Sequence, residues 1–264
     1  LVGIFSFVSS QSLAEQFIIK DGEPNAEIIV AEVSPRMVSI AALELQYYLE
    51  KMSGAKVPIV FTESDDKNIK IYVGKSEYTD EMGIDDKGLK YGAFRMDVGE
   101  NYLVLLGHDF DYAPPKPYAR NHGDIKRARE EWEKILAKND AYGWRYPWAT
   151  NYKNWNFVCN EKVMAKRYGS ENRKVWNPAG EEWNRSTNYY TALENGYVPG
   201  FWLQDEGGSL NAVYSFLRSL GARWHMPTEF GEVIPEVNTI ALPDKSGSSG
   251  ESVGKQAILR ALRL

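Results

Sequence analysis

The chain has one cysteine, Cys159, and three histidines in 264 residues. A single thiol cannot close an intrachain disulfide. His108, His122 and His225 are scattered, whereas a metal site wants His, Cys or carboxylate ligands clustered at short spacing. His108-Asp109 with Asp111 is the nearest approach to such a set, and the residues imply neither a metal nor any other cofactor. No stretch reaches the ~18 apolar residues of a membrane span. There is no internal repeat and no G-x-S-x-G nucleophile elbow. Basic charge is also short: 31 Lys and Arg against 36 Asp and Glu give a net charge of -5. With no basic block to track phosphates, nucleic acid is not an expected partner.

What the chain does have is aromatic rings. They make up 13% of the residues and include eight tryptophans. Seven of these (Trp132, Trp144, Trp148, Trp155, Trp176, Trp183 and Trp202) fall between residues 132 and 202, an enrichment that a uniform core would not produce. Apolar residues at 43% and charged residues at 25% otherwise describe an ordinary globular protein. Leu1 to Val8 is apolar and leads into Ser9-Ser-Gln-Ser-Leu-Ala14, where Ser12-Leu13-Ala14 has a small-x-small form. Residues 1–14 therefore read as the remnant of a secretory signal peptide, predicting a periplasmic or secreted protein. The alternative is a short buried strand.

Strand signals cover Phe17 to Lys20, Ile28 to Glu32, Val57 to Phe61 and Ile69 to Val73. Tyr91 to Val98 and Tyr102 to Leu106 form a hairpin across Gly99-Glu-Asn101, and the continuous apolar run Tyr102-Leu-Val-Leu-Leu106 predicts a central strand covered on both faces. Two amphipathic helices complete the layer. The first is expected to use Ser34 as cap and Pro35 at its first position, with Val38, Ala41, Ala42, Leu45, Tyr48, Leu49 and Met52 as its buried stripe and Gly54 as its end. The second is expected to use Ser209 as cap, to bury Leu210, Val213, Tyr214, Leu217 and Leu220, and to end at Gly221. The expected fold is α/β: a mixed β-sheet with two helices packed on one face, plus a largely helical, aromatic-rich insertion.

The order of these segments resembles the N-terminal accessory domain that precedes the catalytic barrel in α-glucuronidases, β-N-acetylhexosaminidases and related bacterial glycosidase-like proteins. The residues that carry the resemblance are Ala41-Ala-Leu-Glu-Leu-Gln-Tyr-Tyr-Leu49 with Ser53-Gly-Ala-Lys-Val-Pro58, Ile71-Tyr-Val-Gly74, Leu105-Leu-Gly107, and Leu220-Gly-Ala-Arg-Trp224 followed by Pro227 and Gly231-Glu-Val-Ile-Pro235. The resemblance spans about residues 17–107 and 205–242. It implies an accessory domain, 15–107 and 205–244, ahead of a C-terminal catalytic domain. The family passes from the strand ending at Gly107 to the second helix by a short loop, so residues 108–204 read as an inserted helical subdomain, and Lys245-Ser-Gly-Ser-Ser-Gly250 makes 245–264 a linker by composition. A structureless loop as long as 108–204 would be exceptional. The segment carries helix signals after Asp124, over Asn160 to Tyr168 and over Glu181 to Glu194.

By the same resemblance the catalytic carboxylates lie in the following barrel, so none is assigned here. Glycoside hydrolysis uses two carboxyl groups, about 5 Å apart in retaining enzymes and wider in inverting ones. The acids nearest the insertion are Asp109, Asp111, Glu181, Glu182, Asp205 and Glu206, and solvated faces produce such neighbours routinely. Gly207-Gly208-Ser209 at a helix start has free N–H groups for an anion, although a close strand-to-helix turn explains the glycines more simply. The sharper feature is Trp144-Arg-Tyr-Pro-Trp148 followed by Asn151-Tyr-Lys-Asn-Trp155. Flat rings can pack on the C–H faces of a pyranose while polar neighbours bond its hydroxyls. Trp144, Arg145, Trp148, Asn151, Tyr152 and Trp155 are therefore the candidate glycan-binding residues, with the subdomain's own core as the competing use for each ring. Arg223 and Trp224 are the candidate contacts to the barrel. The expected role is accessory domain of a secreted glycoside hydrolase acting on oligo- or polysaccharide; the alternative is a noncatalytic glycan-binding or scaffolding module.

Overall fold

A computed structural model describes residues 16–111, 122–136, 157–158, 161–178, 201–202, 205–226 and 229–243. The described residues open with β1 (Phe17–Lys20), β2 (Glu23–Pro24) and β3 (Ala26–Ile29), then α1 (Arg36–Ser53), β4 (Ile59–Val60), β5 (Ile69–Val73) and the short α2 (Glu77–Glu81). The hairpin β6 (Phe94–Val98) and β7 (Tyr102–Gly107) follows, then β8 (Asp109–Phe110). Within the insertion lie α3 (Ile125–Leu136), β9 (Phe157–Val158), α4 (Glu161–Tyr168), α5 (Arg173–Trp176) and β10 (Phe201–Trp202). The chain returns through β11 (Glu206–Gly207), α6 (Gly208–Ser219), β12 (Arg223–Trp224), β13 (Glu232–Val233) and β14 (Ile240–Ala241).

The expected α/β architecture is present. Five strands form one mixed sheet in the order β4-β3-β5-β7-β6, with β6 antiparallel to β7 and the other pairs parallel. The pattern of β7 explains its place near the middle. Leu103 and Leu105 join the core beneath α1 and α6, while Val104 and Leu106 join a second cluster on the opposite face with Ile29 and Tyr72. Alternate residues point to opposite faces of a strand, so a run without polar residues requires cover on both.

Helices α1 and α6 pack against each other and share one face of the sheet, as their stripes predict: Val38, Ala41, Leu45 and Leu49 meet Leu210, Val213 and Leu217 in a single core. Gly54 and Gly221 follow the two helices at φ of 75° and 101°, a region that costs an L-residue with a Cβ but not glycine. Residues 205–243 thus complete the core begun by residues 16–107, and β14 pairs with β1 to close a small outer sheet.

Both expected N-caps are displaced. Pro35 itself occupies the cap position of α1, with no side-chain cap, and the Ser34 hydroxyl lies 3.2 Å from that of Ser39. α6 starts one residue before Ser209, at Gly208. The Ser209 hydroxyl is engaged instead by a carboxylate from the other end of the insertion, which local sequence could not reveal.

Candidate functional site at the neck of the insertion

The insertion leaves the sheet at the C-terminal end of β7 and returns one short strand later. β8 and β11 pair antiparallel there, Asp109 opposite Gly207 and Phe110 opposite Glu206, and form a two-stranded neck. In open α/β sheets the carboxyl ends of the parallel strands are where ligands are generally held, so the neck is the natural place to look for chemistry. It also brings His108, Asp109 and Asp111 together with Asp205 and Glu206 from the other end of the insertion.

The neck is built on a close backbone crossing. A Cβ on Gly107 would lie 2.1 Å from the carbonyl carbon of Gly208, and one on Gly208 would lie 2.4 Å from the His108 nitrogen. Gly107 and Gly208 are therefore both required for β7 to pass the start of α6, so the glycine at 208 serves a crossing with a distant strand rather than a local strand-to-helix turn. The Gly208 N–H donates to the His108 carbonyl at 2.9 Å, and the His108 N–H donates to that of Ala93 at 2.9 Å. Ser209 ties the crossing together. Its Oγ accepts from the Gly107 N–H at 3.0 Å and donates to Asp109 Oδ2 at 2.5 Å, while its N–H donates to Asp109 Oδ1 at 3.0 Å. Asp109 thus takes the place of the missing cap at the start of α6, where a carboxylate suits the helix dipole.

A second tie comes from α1. Arg36 is buried and forks onto buried Asp205, with Nε to Oδ2 at 3.0 Å and Nη2 to Oδ1 at 2.7 Å. Its backbone N–H donates to Asp111 Oδ1 at 3.0 Å, and its Nη1 lies 3.7 Å from Asp111 Oδ2. One arginine therefore clasps both strands of the neck, through a planar fork that lysine could not reproduce. On the outer side the half-exposed His108 imidazole lies between Asp86, 3.5 Å from Nδ1, and Glu206, 3.9 Å from Nε2. Glu206 Oε2 is buried without a hydrogen-bond partner among the described residues.

Electrostatics follow from this crowding. Loss of water around the Asp109 carboxyl outweighs the Ser209 hydrogen bonds and the attraction of His108, pushing its pKa up to about 7. Asp111 is raised above the ordinary carboxylate range for the same reason, although Arg36 pulls it back. The neck thus has a carboxyl that titrates near neutrality beside an imidazole. Its geometry, however, directs Asp109 to Ser209, and Asp111 and Asp205 to Arg36, as ties between chain segments. Among the described residues no group of three or more His, Cys, Asp and Glu converges as a metal cage. His108 faces Asp86 and Glu206, while Asp109 and Asp111 turn to other partners.

The candidate glycan residues Trp144, Arg145, Trp148, Asn151, Tyr152 and Trp155 lie outside the described residues, as do Glu181 and Glu182. Trp176, another ring of the aromatic segment, is buried with Leu43, Met164, Tyr168 and Val175 in a second core between α1 and the insertion, its Nε1 donating to the Gly169 carbonyl at 3.0 Å. That ring is core. Trp224 packs edge-on against Tyr48 and Tyr214 at centroid distances of 5.1 and 5.0 Å and donates to the Tyr48 hydroxyl at 2.9 Å. Arg223 is exposed and its Nη1 donates to the carbonyls of Arg218 and Ala222, both at 2.7 Å. The large apolar side chains exposed near this hairpin are Met226, Phe230 and Val233, Phe230 at 94%.

Sequence reasoning passed over Arg36 and Glu44. Arg36 left no signal, being one exposed-looking residue at a helix start. Glu44 did leave one: a charge inside Ala41-Ala-Leu-Glu-Leu45, where the helix is buried nearly all round. No family model matches the chain, and no curated protein matches it either.

Proposed function

We propose that this chain is the α/β accessory domain of an exported glycoside hydrolase, itself noncatalytic, with the insertion over 108–204 placed to help shape a glycan site. The observation that carries this reading is the position of the neck. The insertion is rooted at the carboxyl edge of the parallel strands and clamped by Arg36, so an aromatic-rich subdomain is held at the edge where α/β sheets generally present ligands. The commitment of Asp109, Asp111 and Asp205 to structural partners supports a noncatalytic role. Exposed Met226, Phe230 and Val233, beside Arg223, favour a covering domain on that side, for which the resemblance supplies the catalytic barrel. Export is favoured by the apolar run ahead of Ala14.

Two measurements test the reading. The chain alone is expected to show no turnover of an aryl-glycoside panel; turnover abolished by Asp109→Asn or Glu206→Gln would place catalysis at the neck. It is also expected to bind oligosaccharide through the insertion, with Trp148→Ala weakening binding by roughly 1 kcal/mol at unchanged melting temperature. Unfolding of the subdomain by that change, with no glycan binding by the parent chain, would make the ring core and remove the glycan role.

A further inference from the structure

Away from the neck, a cleft of about 330 Å³ opens between α1 and the segment that runs through α4. Its walls include Lys51, Lys56, Lys166 and Arg167, with Glu50 as the one carboxylate among its lining. Each of three cations is tied to an acid that does not line the cleft. Arg167 Nε and Nη2 bond Glu44, Lys51 bonds Glu232 at 2.6 Å, and Lys56 bonds Glu171. An ammonium has three donors and a guanidinium five, so these ties leave donors to spare. Lys166 is exposed, with no ion pair or hydrogen bond among the described residues.

The cations are also held in place. The Arg167 guanidinium sits 4.3 Å from the centroid of the Tyr47 ring, and the Lys51 ammonium lies 5.8 Å from the same ring. Tyr47 is fixed in turn edge-on to Tyr48 and Tyr168. A concave surface lined mainly by one sign of charge focuses potential. Here two of its donors, Arg167 and Lys51, are ordered in advance by the Tyr47 ring and by the buried carboxylates of Glu44 and Glu232, while Lys56 pairs with the exposed Glu171.

We infer that this cleft binds the oxyanion group of a small ligand, a carboxylate or a phosphate carried on a body of about monosaccharide size. The volume lies at the lower end of the ~300–1,000 Å³ of small-molecule sites, and Lys and Arg donors suit either anion. The inference does not depend on the accessory-domain reading. The described chain carries all of the cleft's lining whether or not a barrel follows.

The test is a titration of the full chain, followed by amide NMR at low ionic strength, with glucuronate, inorganic phosphate and glucose. Saturable shifts are expected in and around residues 46–56 and 166–169 with at least one anion and none with glucose. The double change Lys56→Gln with Lys166→Gln should weaken that binding at least tenfold without moving the melting temperature, since both side chains are at the surface. Tighter binding of glucuronate identifies a sugar carboxylate, and tighter binding of phosphate identifies a phosphate ester. No saturable shift with either anion, equal binding of glucose, or an unchanged affinity in the double variant overturns the inference.

Discussion

Along α1, the side turned to the sheet buries Val38, Ala41, Ala42, Leu45 and Leu49 among aliphatic neighbours, whereas the side turned to the insertion buries a charge. Glu44 is fully buried and accepts from Arg167 Nε at 2.9 Å, Arg167 Nη2 at 3.1 Å, the Tyr214 hydroxyl at 2.5 Å and the Tyr168 hydroxyl. Tyr48 extends the network, donating to Glu232 at 2.8 Å and accepting from Trp224. Burial first, and the Glu44 charge next, push the phenols of Tyr168 and Tyr214 well above their ordinary pKa, so they remain donors. The two sides differ in what they specify. Aliphatic packing is non-directional and roughly proportional to area; a charge satisfied from α4 and α6 at once fixes where the insertion docks. The same contrast makes different demands on substitution.

The largest effect is expected where the charge is stranded. Glu44→Ala leaves Arg167, only about one-tenth exposed, without its carboxylate, and breaking a largely buried pair from one side costs up to about 3–5 kcal/mol. Urea unfolding should show that loss, while Glu44→Gln combined with Arg167→Met should cost less than the sum of the two single changes. A strictly additive double mutant would mean that Glu44 and Arg167 do not act as a unit, and the contrast between the two sides would dissolve.

On the sheet side, Leu105→Ala should cost about 2–5 kcal/mol, the range for a buried leucine losing its contacts and leaving a cavity. No second substitution on α1 or α6 should restore it except one that refills the volume. Recovery through a polar change would show that this side is directional as well. The neck offers an intermediate case. Gly107→Ala places a methyl against the Gly208 backbone at 2.1 Å, an overpacking that typically costs about 1–3 kcal/mol and here forces the chain apart at the crossing. Wild-type stability in this variant would show that the crossing is loose, and the argument for two required glycines would fail.

The aliphatic side was the part legible in sequence. Ile69–Val73 is a strand over its predicted residues, the hairpin turns where Gly99-Glu-Asn101 placed it, and the stripes of α1 and α6 face one core because periodicity in a single segment encodes which face is buried. The polar ties were not legible in the same way. Asp109 serves Ser209 from a hundred residues away, Arg36 reaches Asp205 from 169 away, and Glu44 meets Arg167 from 123 away. Residue type alone marks these groups as ordinary surface charges. Only closure of the fold makes the pairs, so the sequence marks the candidate acids but not their partners. That is also why Ser209 misled: it fits a cap by local rule, and a distant carboxylate outcompetes that use.

The last effect, and the one that separates the neck from the Glu44 network most cleanly, is in pH. Asp109 titrates near 7 in the folded chain, against about 3.9 for an unperturbed aspartate. Between those values the folded state holds a proton that the unfolded state has released, so folding loses stability as pH rises through that window and levels off above it. His108 and Asp111 act on the same carboxyl in opposite directions, so the wild-type profile is not that of Asp109 by itself. Asp109→Asn isolates one. An amide keeps an oxygen for the Ser209 N–H and removes the titration, so the difference in unfolding free energy between variant and wild type should shift in the variant's favour from pH 5 to pH 8. Chemical denaturation at both pH values measures it. A difference that stays constant would mean that Asp109 is ionised throughout, held by Ser209 strongly enough to offset its loss of water. The neck would then be a charged tie like Glu44.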